Sequence, residues 1–380
     1  YVGDTDPDMV CKPDHATFRV VPWAAEPVAV VIHDCFDWDG TPVPLSPRAV
    51  LRKVIDLYTQ KGWRAVVAPE MEFYLVARQH NPHEPLQPPV GRTGKPEAGR
   101  QSYSVDAVND FDPFFMELSS FCDVHRLGVE TLIHEAGAGQ MEINFAHGEP
   151  LELADRVFLF KRTVRETALR HGIFATFMAK PMETEPGSAM HIHQSILNAD
   201  GHNIFSRADG GASGAFFHYI AGLQTYVPQV MPMFAPYVNS YRRLAPFMSA
   251  PTNVRWGYDN RTCGIRVPKS LPNARRVENR VPGVDVNPYL AIAATLACGY
   301  LGLMEERQPA DPVSTSAWNM EHELPRHLED AIELLRACDP VRDIFGVEFV
   351  NAFCAVKELE YGTYNRVISS WEREHLLLLV

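Results

Sequence analysis

The fold turns on RAVVAPEMEFYLVA, residues 64–77. Valine, phenylalanine, tyrosine and leucine dominate it, so it reads as a strand or a strand pair. Two acids, Glu70 and Glu72, sit inside it. Side chains alternate faces along a strand, so these two point one way while Met71 and Phe73 point the other. One face is greasy and the other is charged.

The same grammar recurs outward from this stretch. In GQMEINF, Gln140, Glu142 and Asn144 share a face. In AMHIHQS, His191, His193 and Ser195 share a face; in ARRVENRV, Arg276, Glu278 and Arg280 do. A solvated outer sheet face carries mixed Lys, Thr, Ser and Gln, whereas these four segments contain no lysine. Arginine with Glu and His suggests fixed geometry, as bidentate forks and metal ligands require. If Glu70, Glu72, Glu135, Glu142 and Glu278 converge, each carboxylate pair about 5 Å apart repels by roughly 3 kcal/mol at an effective dielectric near 20. Hard divalent ions on oxygen ligands relieve this, and one imidazole is compatible with Mg²⁺ or Mn²⁺. Arg243, Arg261, Arg266, Arg276 and Arg280 would face the metals across a gap, which is how proteins hold a transferring phosphoryl group. No G-x-x-x-x-G-K-[ST] occurs, so a P-loop is excluded.

The rest of the chain sets bounds. Its 380 residues carry 35 Lys and Arg against 47 Asp and Glu, a formal charge of −12, and this net anion is a poor partner for nucleic acid or an anionic membrane. The seven cysteines are scattered without a C-x-x-C, which argues against a disulfide framework or structural zinc and for a reducing, cytoplasmic setting. No signal peptide is read at the start. The apolar run from Leu290 to Met304 is too short to span a bilayer, and reads as a buried helix capped by Asn287 with Pro288 in its first turn. Helices are also expected after Ser46, over 111–127, 151–171 and 216–233, and from 324 onward; strands are expected at 129–133, 173–179, 190–197 and 276–281. Strands followed by hairpins or blocks of helices favour an α+β fold with a largely antiparallel sheet. Residues 79–102 form a polar, proline-rich connector.

These motifs resemble one family. PEMEFYL (69–75), HEAGAGQMEINF (134–145), GSAMHIHQS (187–195), NSYRRL (239–244), DNRTCGIRVP (259–268) and ARRVENRVPG (274–283), in this order, are similar to blocks of glutamine synthetases and their γ-glutamyl-amine ligase relatives. The resemblance implies an incomplete N-terminal β-grasp domain over 1–43 and a catalytic domain over 44–380, whose curved sheet forms a funnel. It implies a homo-oligomer, a dodecamer of two hexameric rings. One metal site would be Glu72, Glu135 and Glu142, the other Glu70, His191 and Glu278. Glutamate would be held by Arg243 and Arg280 near the Gly187 backbone, and Arg261 would steady the transferred phosphoryl group. Arg266 and Arg276 would contact ATP phosphates, with His193, Ser195 and Glu130 also on the nucleotide. The implied chemistry has two steps: ATP phosphorylates the γ-carboxylate of glutamate, and an amine then displaces phosphate to form an amide.

Departures from the family bear on the amine. RLAPFMSAP places Ser249 where ammonia-using members carry a flap glutamate. That favours a larger acceptor, and the blocks most resemble γ-glutamylpolyamine and γ-glutamylputrescine synthetases, so putrescine or another polyamine is expected. The alternatives are a glutamine synthetase using ammonia and, less favoured, a non-catalytic relative. Asn273 replaces a family lysine, and an acceptor-site loop would precede Tyr1. Tyr103 reads as a packing residue, with lining the substrate site as its alternative; Trp256 and Tyr258 read as core, with an amine-pocket wall as theirs; Cys263 reads as a small buried residue and His134 as structural.

Overall fold

The structure, a computed structural model, describes residues 8–97, 100–245 and 249–379. Pro246, Phe247 and Met248, in the middle of the flap stretch, lie outside the described residues. The chain opens with four short strands, β1 (Val10–Pro13), β2 (Arg19–Val20), β3 (Ala29–Val30) and β4 (His33–Phe36). They form two separate antiparallel ribbons, β1 with β4 and β2 with β3. Arg48 ties the first ribbon to the body: its guanidinium reaches Asp14 at 2.7 Å, Asp34 at 2.6 Å and Asp155 at 2.9 Å.

Helix α1 (Pro47–Gln60) follows Ser46, with proline in its first turn, and Gly62 turns the chain at φ 70°. Then comes β5 (Arg64–Ala77), one unbroken strand. Helices α2 (Val105–Asn109) and α3 (Asp112–Val124) lead to β6 (Val129–His134) and β7 (Gln140–Phe145). Helix α4 (Pro150–Arg170) precedes β8 (Ile173–Thr176) and β9 (Met190–Leu197). The expected helix over 216–233 is broken. It is α5 (Gly214–Tyr226), a short 3₁₀ turn at Pro228–Val230 and α6 (Met231–Phe234), because Pro228 and Pro232 interrupt the ladder. After α7 (Val238–Arg243) come β10 (Trp256–Tyr258), β11 (Ile265–Val267) and β12 (Val277–Asn279), of which only the last was expected. Helix α8 (Pro288–Met304) is capped by Asn287, whose side chain accepts from the Tyr289 and Leu290 N–H groups. Helices α9 (Leu328–Ala337), α10 (Asp339–Phe345), α11 (Val347–Tyr364) and α12 (Ser370–Leu376) complete the described chain.

Eight strands form one sheet in the order β10-β11-β12-β9-β5-β7-β6, with β8 also on β5. Every pairing is antiparallel except β10 with β11, so the α+β expectation holds with one parallel pair. The apolar face of the central strands is closed to solvent: Met71, Phe73, Met141, Ile192 and Val277 are all fully buried. Helix α8 is buried on nearly every side and lies in this core. Its Thr295 hydroxyl receives hydrogen bonds from Gln194 of β9 at 3.0 Å and Asn279 of β12 at 2.9 Å. Among the described residues no helix is long and apolar enough to cross a membrane. The charged face is thus left free to build a site.

Candidate active site

Register decides which acids meet. Glu72 of β5 stands directly opposite Glu142 of β7, and Glu70 stands opposite Asn144 on that edge and His191 of β9 on the other. Glu278 of β12 stands opposite His193. Like charges directly across a ladder destabilise it, so the Glu72–Glu142 pair needs a positive partner. Among the described residues two donor groups are compact enough for one ion each: Glu70 with Glu142 and His191, and Glu70 with His193 and Glu278. Glu72, Glu135 and Glu142 border the same cavity as His191. The described geometry therefore brings all six expected ligands together; the two compact groups overlap at Glu70 and draw in His193, and Glu72, Glu135 and Glu142 stay side by side.

Hydrogen bonds fix the cage from outside. The Glu72 carboxylate accepts from the Ala189 N–H at 2.8 Å and from the Gln140 amide at 3.3 Å. Glu70 takes His191 Nδ1 at 3.2 Å and His193 Nε2 at 2.8 Å. Arg276 donates to the remaining nitrogen of His193 at 3.2 Å. Glu278, wholly buried, faces Arg280 at 2.5 Å and Arg266 at 2.7 Å.

The electrostatics follow. Burial, with repulsion from Glu135, pushes Glu72 up to about 8. Burial, with Glu72, Glu70 and Glu135 nearby, pushes Glu142 up to about 9. Glu135 is also raised, chiefly by burial. Glu70 goes the other way: burial opposes its charge, yet the two histidines hold it well below the ordinary range. Burial and the Arg280 charge lower His191 to about 4, so its contact with Glu70 is a hydrogen bond from a neutral ring, not an ion pair. Glu278 falls to about 2, where Arg280 and the two histidines overcome burial. Carboxylates held up by one another and a neutral imidazole form a donor set for a hard dication, which would restore full ionisation.

Arginines face this cage across a cavity of about 230 Å³. Arg243, Arg261 and Arg280 border it, with Gly187 and Ser249. Arg243 is buried and donates to the carbonyls of Val281 at 2.8 Å and Arg280 at 3.1 Å. Gly187 is required here, since a Cβ would fall 2.5 Å from Arg243 Cγ. A second cavity, of about 540 Å³, is bordered by His193, Ser195, Arg276 and Glu130. Arg266, expected beside them, does not border it; its two arms are taken by Glu278 and Asp259.

Two packing expectations need correction, and the one for Cys263 holds. Tyr103 is largely exposed and borders the smaller cavity, because its backbone adopts a left-handed φ of 64° on the surface. Tyr258 is exposed too, edge-on to Trp256 at 5.3 Å, although Trp256 itself is core. Cys263 is fully buried. Trp318 also borders the smaller cavity. Only its isolation in a polar stretch, SAWNMEHELP, marks it in the sequence. Tyr103 and Ser249 both have left-handed backbones, at φ 64° and 66°, which is costly for residues with a Cβ and recurs at functional sites.

Comparison with known proteins agrees with this geometry. The family model for the glutamine synthetase catalytic domain matches residues 44–376. A glutamate–isopropylamine ligase of Pseudomonas sp is 34% identical over 381 residues, covering 98% of this chain and 82% of that protein. The γ-glutamylputrescine synthetase PuuA of Escherichia coli (strain K12) is 36% identical over 378 residues, covering 98% and 79%. Among solved structures, a GmaS–ADP complex superposes with a TM-score of 0.88 at 29% identity, covering 99% of this chain and 86% of that one. The chain belongs to the glutamine synthetase family, whose members are ATP-dependent ligases that form carbon–nitrogen bonds.

Proposed function

We propose that this chain phosphorylates the γ-carboxylate of glutamate with ATP and couples it to a primary amine, putrescine or another polyamine. The observation that supports this most directly is one cavity with carboxylates and His191 on one wall and Arg243, Arg261 and Arg280 on the other. Glu70, Glu142 and His191 would hold one Mg²⁺ or Mn²⁺ ion, and Glu70, His193 and Glu278 another, with Glu72 and Glu135 beside them. Such ions supply Lewis-acid stabilisation of charge on the phosphates.

The chain's own residues do the rest. Arg243 and Arg280, with the Gly187 backbone, hold glutamate so that its γ-carboxylate lies at the cage. Arg261 is the arm that would follow the phosphoryl group, since it borders the cavity with its charge beside Glu135 and Asp259. Its planar fork matches a phosphoryl oxygen pair, a geometry no ammonium reproduces. His193, Ser195, Arg276 and Glu130 border the larger cavity, whose volume suits a nucleotide, and Arg266 acts through Glu278. The phosphoryl transfer makes a good leaving group from a poor one. A neutral amine then attacks the acyl carbon, phosphate leaves, and the proton shed by the amine passes to a base or to solvent at the acceptor end of the cavity. Ser249 supplies no acid there, which supports an amine larger than ammonia.

We further read 1–43 as an incomplete β-grasp domain, the assembly as a dodecamer and the setting as cytoplasmic. The test is ADP release by the full-length enzyme with glutamate and each of ammonium, putrescine, spermidine, ethanolamine and methylamine. Turnover with putrescine or spermidine well above ammonium is the expected result. Strong turnover with ammonium alone defeats the acceptor reading and leaves a glutamine synthetase.

A further inference from the structure

Glu135 is the one expected ligand that no strand carries. It sits on the loop between β6 and β7, and loops do not hold a carboxylate in place without help. The loop is tied along its length. The Glu135 N–H donates to the Gln140 carbonyl at 2.8 Å, and the Gly137 N–H to the Gln140 side chain at 3.0 Å. Gly139 leans on β5: its carbonyl accepts from the Leu75 N–H at 2.8 Å, and its φ of 76° leaves no room for a Cβ, which would lie 2.5 Å from the Leu75 carbonyl oxygen.

A residue from far away closes this arrangement. Glu97 belongs to the long connector between β5 and α2, and its side chain is 5% exposed. One carboxylate oxygen accepts from the Gly139 N–H at 2.7 Å, at the far end of the loop. The other lies 2.6 Å from Nε2 of His134, at the near end. The His134 ring is fully buried, and its Nδ1 meets the carbonyl oxygen of Glu135 at 2.7 Å. The ring thus lies between the Glu97 carboxylate, at ion-pair distance, and the Glu135 carbonyl, at hydrogen-bond distance, and bridges the two. The His134 carbonyl, in turn, accepts from the Tyr103 N–H at 2.8 Å. One histidine therefore joins the loop of Glu135 to the segment carrying Tyr103, and one glutamate holds both ends of that loop.

We propose that Glu97 is a positioning residue, which through His134 and Gly139 sets the place of Glu135 in the cage and of Tyr103 at the acceptor end. It touches no substrate itself. Its removal would be felt at the metal and the amine more than at the nucleotide cavity: Glu130 of that cavity stands at the opposite end of β6 from His134, and His193, Ser195 and Arg276 lie elsewhere in the chain. This inference rests on the ligase reading only for its kinetic arm; metal binding tests it independently.

The experiment compares the full-length protein with Glu97→Ala, Glu97→Gln and Glu97→Asp. Mn²⁺ affinity is measured by calorimetry without nucleotide, KM is measured for amine and ATP, and the melting temperature is recorded. Residues behind metal ligands are worth about 10- to 100-fold in affinity or activity. Glu97→Ala is expected to weaken Mn²⁺ at one site and raise the amine KM by about tenfold each, with the ATP KM within about twofold. Glu97→Asp, which retains the charge on a shorter arm, should recover part of the loss, and Glu97→Gln, which retains only an acceptor for Gly139, should recover less. Unchanged Mn²⁺ affinity in folded Glu97→Ala overturns the proposal. So does a loss shared equally with the ATP KM and accompanied by a collapse in melting temperature in all three variants, since that is a general structural role. If the wild type turns over no amine, the ligase reading fails while the Mn²⁺ comparison still judges Glu97.

Discussion

The two ends of the smaller cavity are built differently. At one end Glu72, Glu142 and His191 project from β5, β7 and β9, with Glu70 of β5 and Glu278 of β12 beside the histidines, each fixed by ladder register. At the other, Tyr103, Ser249 and Trp318 come from irregular segments, two of them with strained backbones. The strand-borne end cannot change one side chain without disturbing a partner directly across the ladder. The loop-borne end can exchange residues singly. A family that keeps its phosphoryl chemistry and varies its amine would be expected to place the two tasks this way.

Substitutions at the strand-borne end should then do the most harm. Glu278→Gln is expected to remove at least about a hundredfold of activity, because a buried anion between two arginines and a metal position is lost. Steady-state turnover at saturating Mn²⁺ measures this, and near-normal rates would break the contrast. Arg261→Lys comes next, with a loss of about 10- to 100-fold in kcat and a smaller change in glutamate KM, since a point charge replaces a planar fork.

Metal removal should reveal the strained charges themselves. Glu72 and Glu142 have folded pKa values raised far above the ordinary carboxylate value. For such groups the folded form binds more protons than the unfolded form between those limits, so their contribution is complete below about pH 4.5 and is lost as pH rises through about 8 to 9. Thermal melts of chelated protein should therefore fall between pH 6 and 9, and saturating Mn²⁺ should flatten the slope. A chelated protein with a flat profile would mean the acids are not crowded. The smallest effect belongs to the loop-borne end. Ser249→Glu should shift the ratio of ammonium to putrescine turnover by about tenfold at most, which is about 1.4 kcal/mol, with little change in glutamate KM. If it abolishes activity instead, the acceptor end is not independent of the cage.

This difference also explains what could be read in advance. The i, i+2 spacing of Glu70 with Glu72, and of His191 with His193, survives in any strand, so the charged face was visible without coordinates. The sharing of Glu70 between two donor groups was not, since it depends on β5 lying between β7 and β9. Tyr103 was misread because nothing local signals a left-handed turn at a tyrosine. Glu97 was hidden for a similar reason: it meets His134 and Gly139 across about 40 residues, and contacts of that range leave no periodic trace. The break between α5 and α6 was legible in principle from Pro228 and Pro232, but the apolar run concealed it.

Behind the sheet, Gly222 of α5 and Gly302 of α8 meet main chain to main chain; a Cβ on Gly222 would lie 2.7 Å from the Gly302 backbone. The same two helices reach forward, Tyr219 to Gln194 and Thr295 to both Gln194 and Asn279. A methyl group inserted at that crossing would act as a wedge. It would tilt the platform on which β9 and β12 rest, and the disturbance would surface on the opposite side as a misplaced imidazole. Two of the least conspicuous residues in the chain thus calibrate how deeply its reactive groups sit.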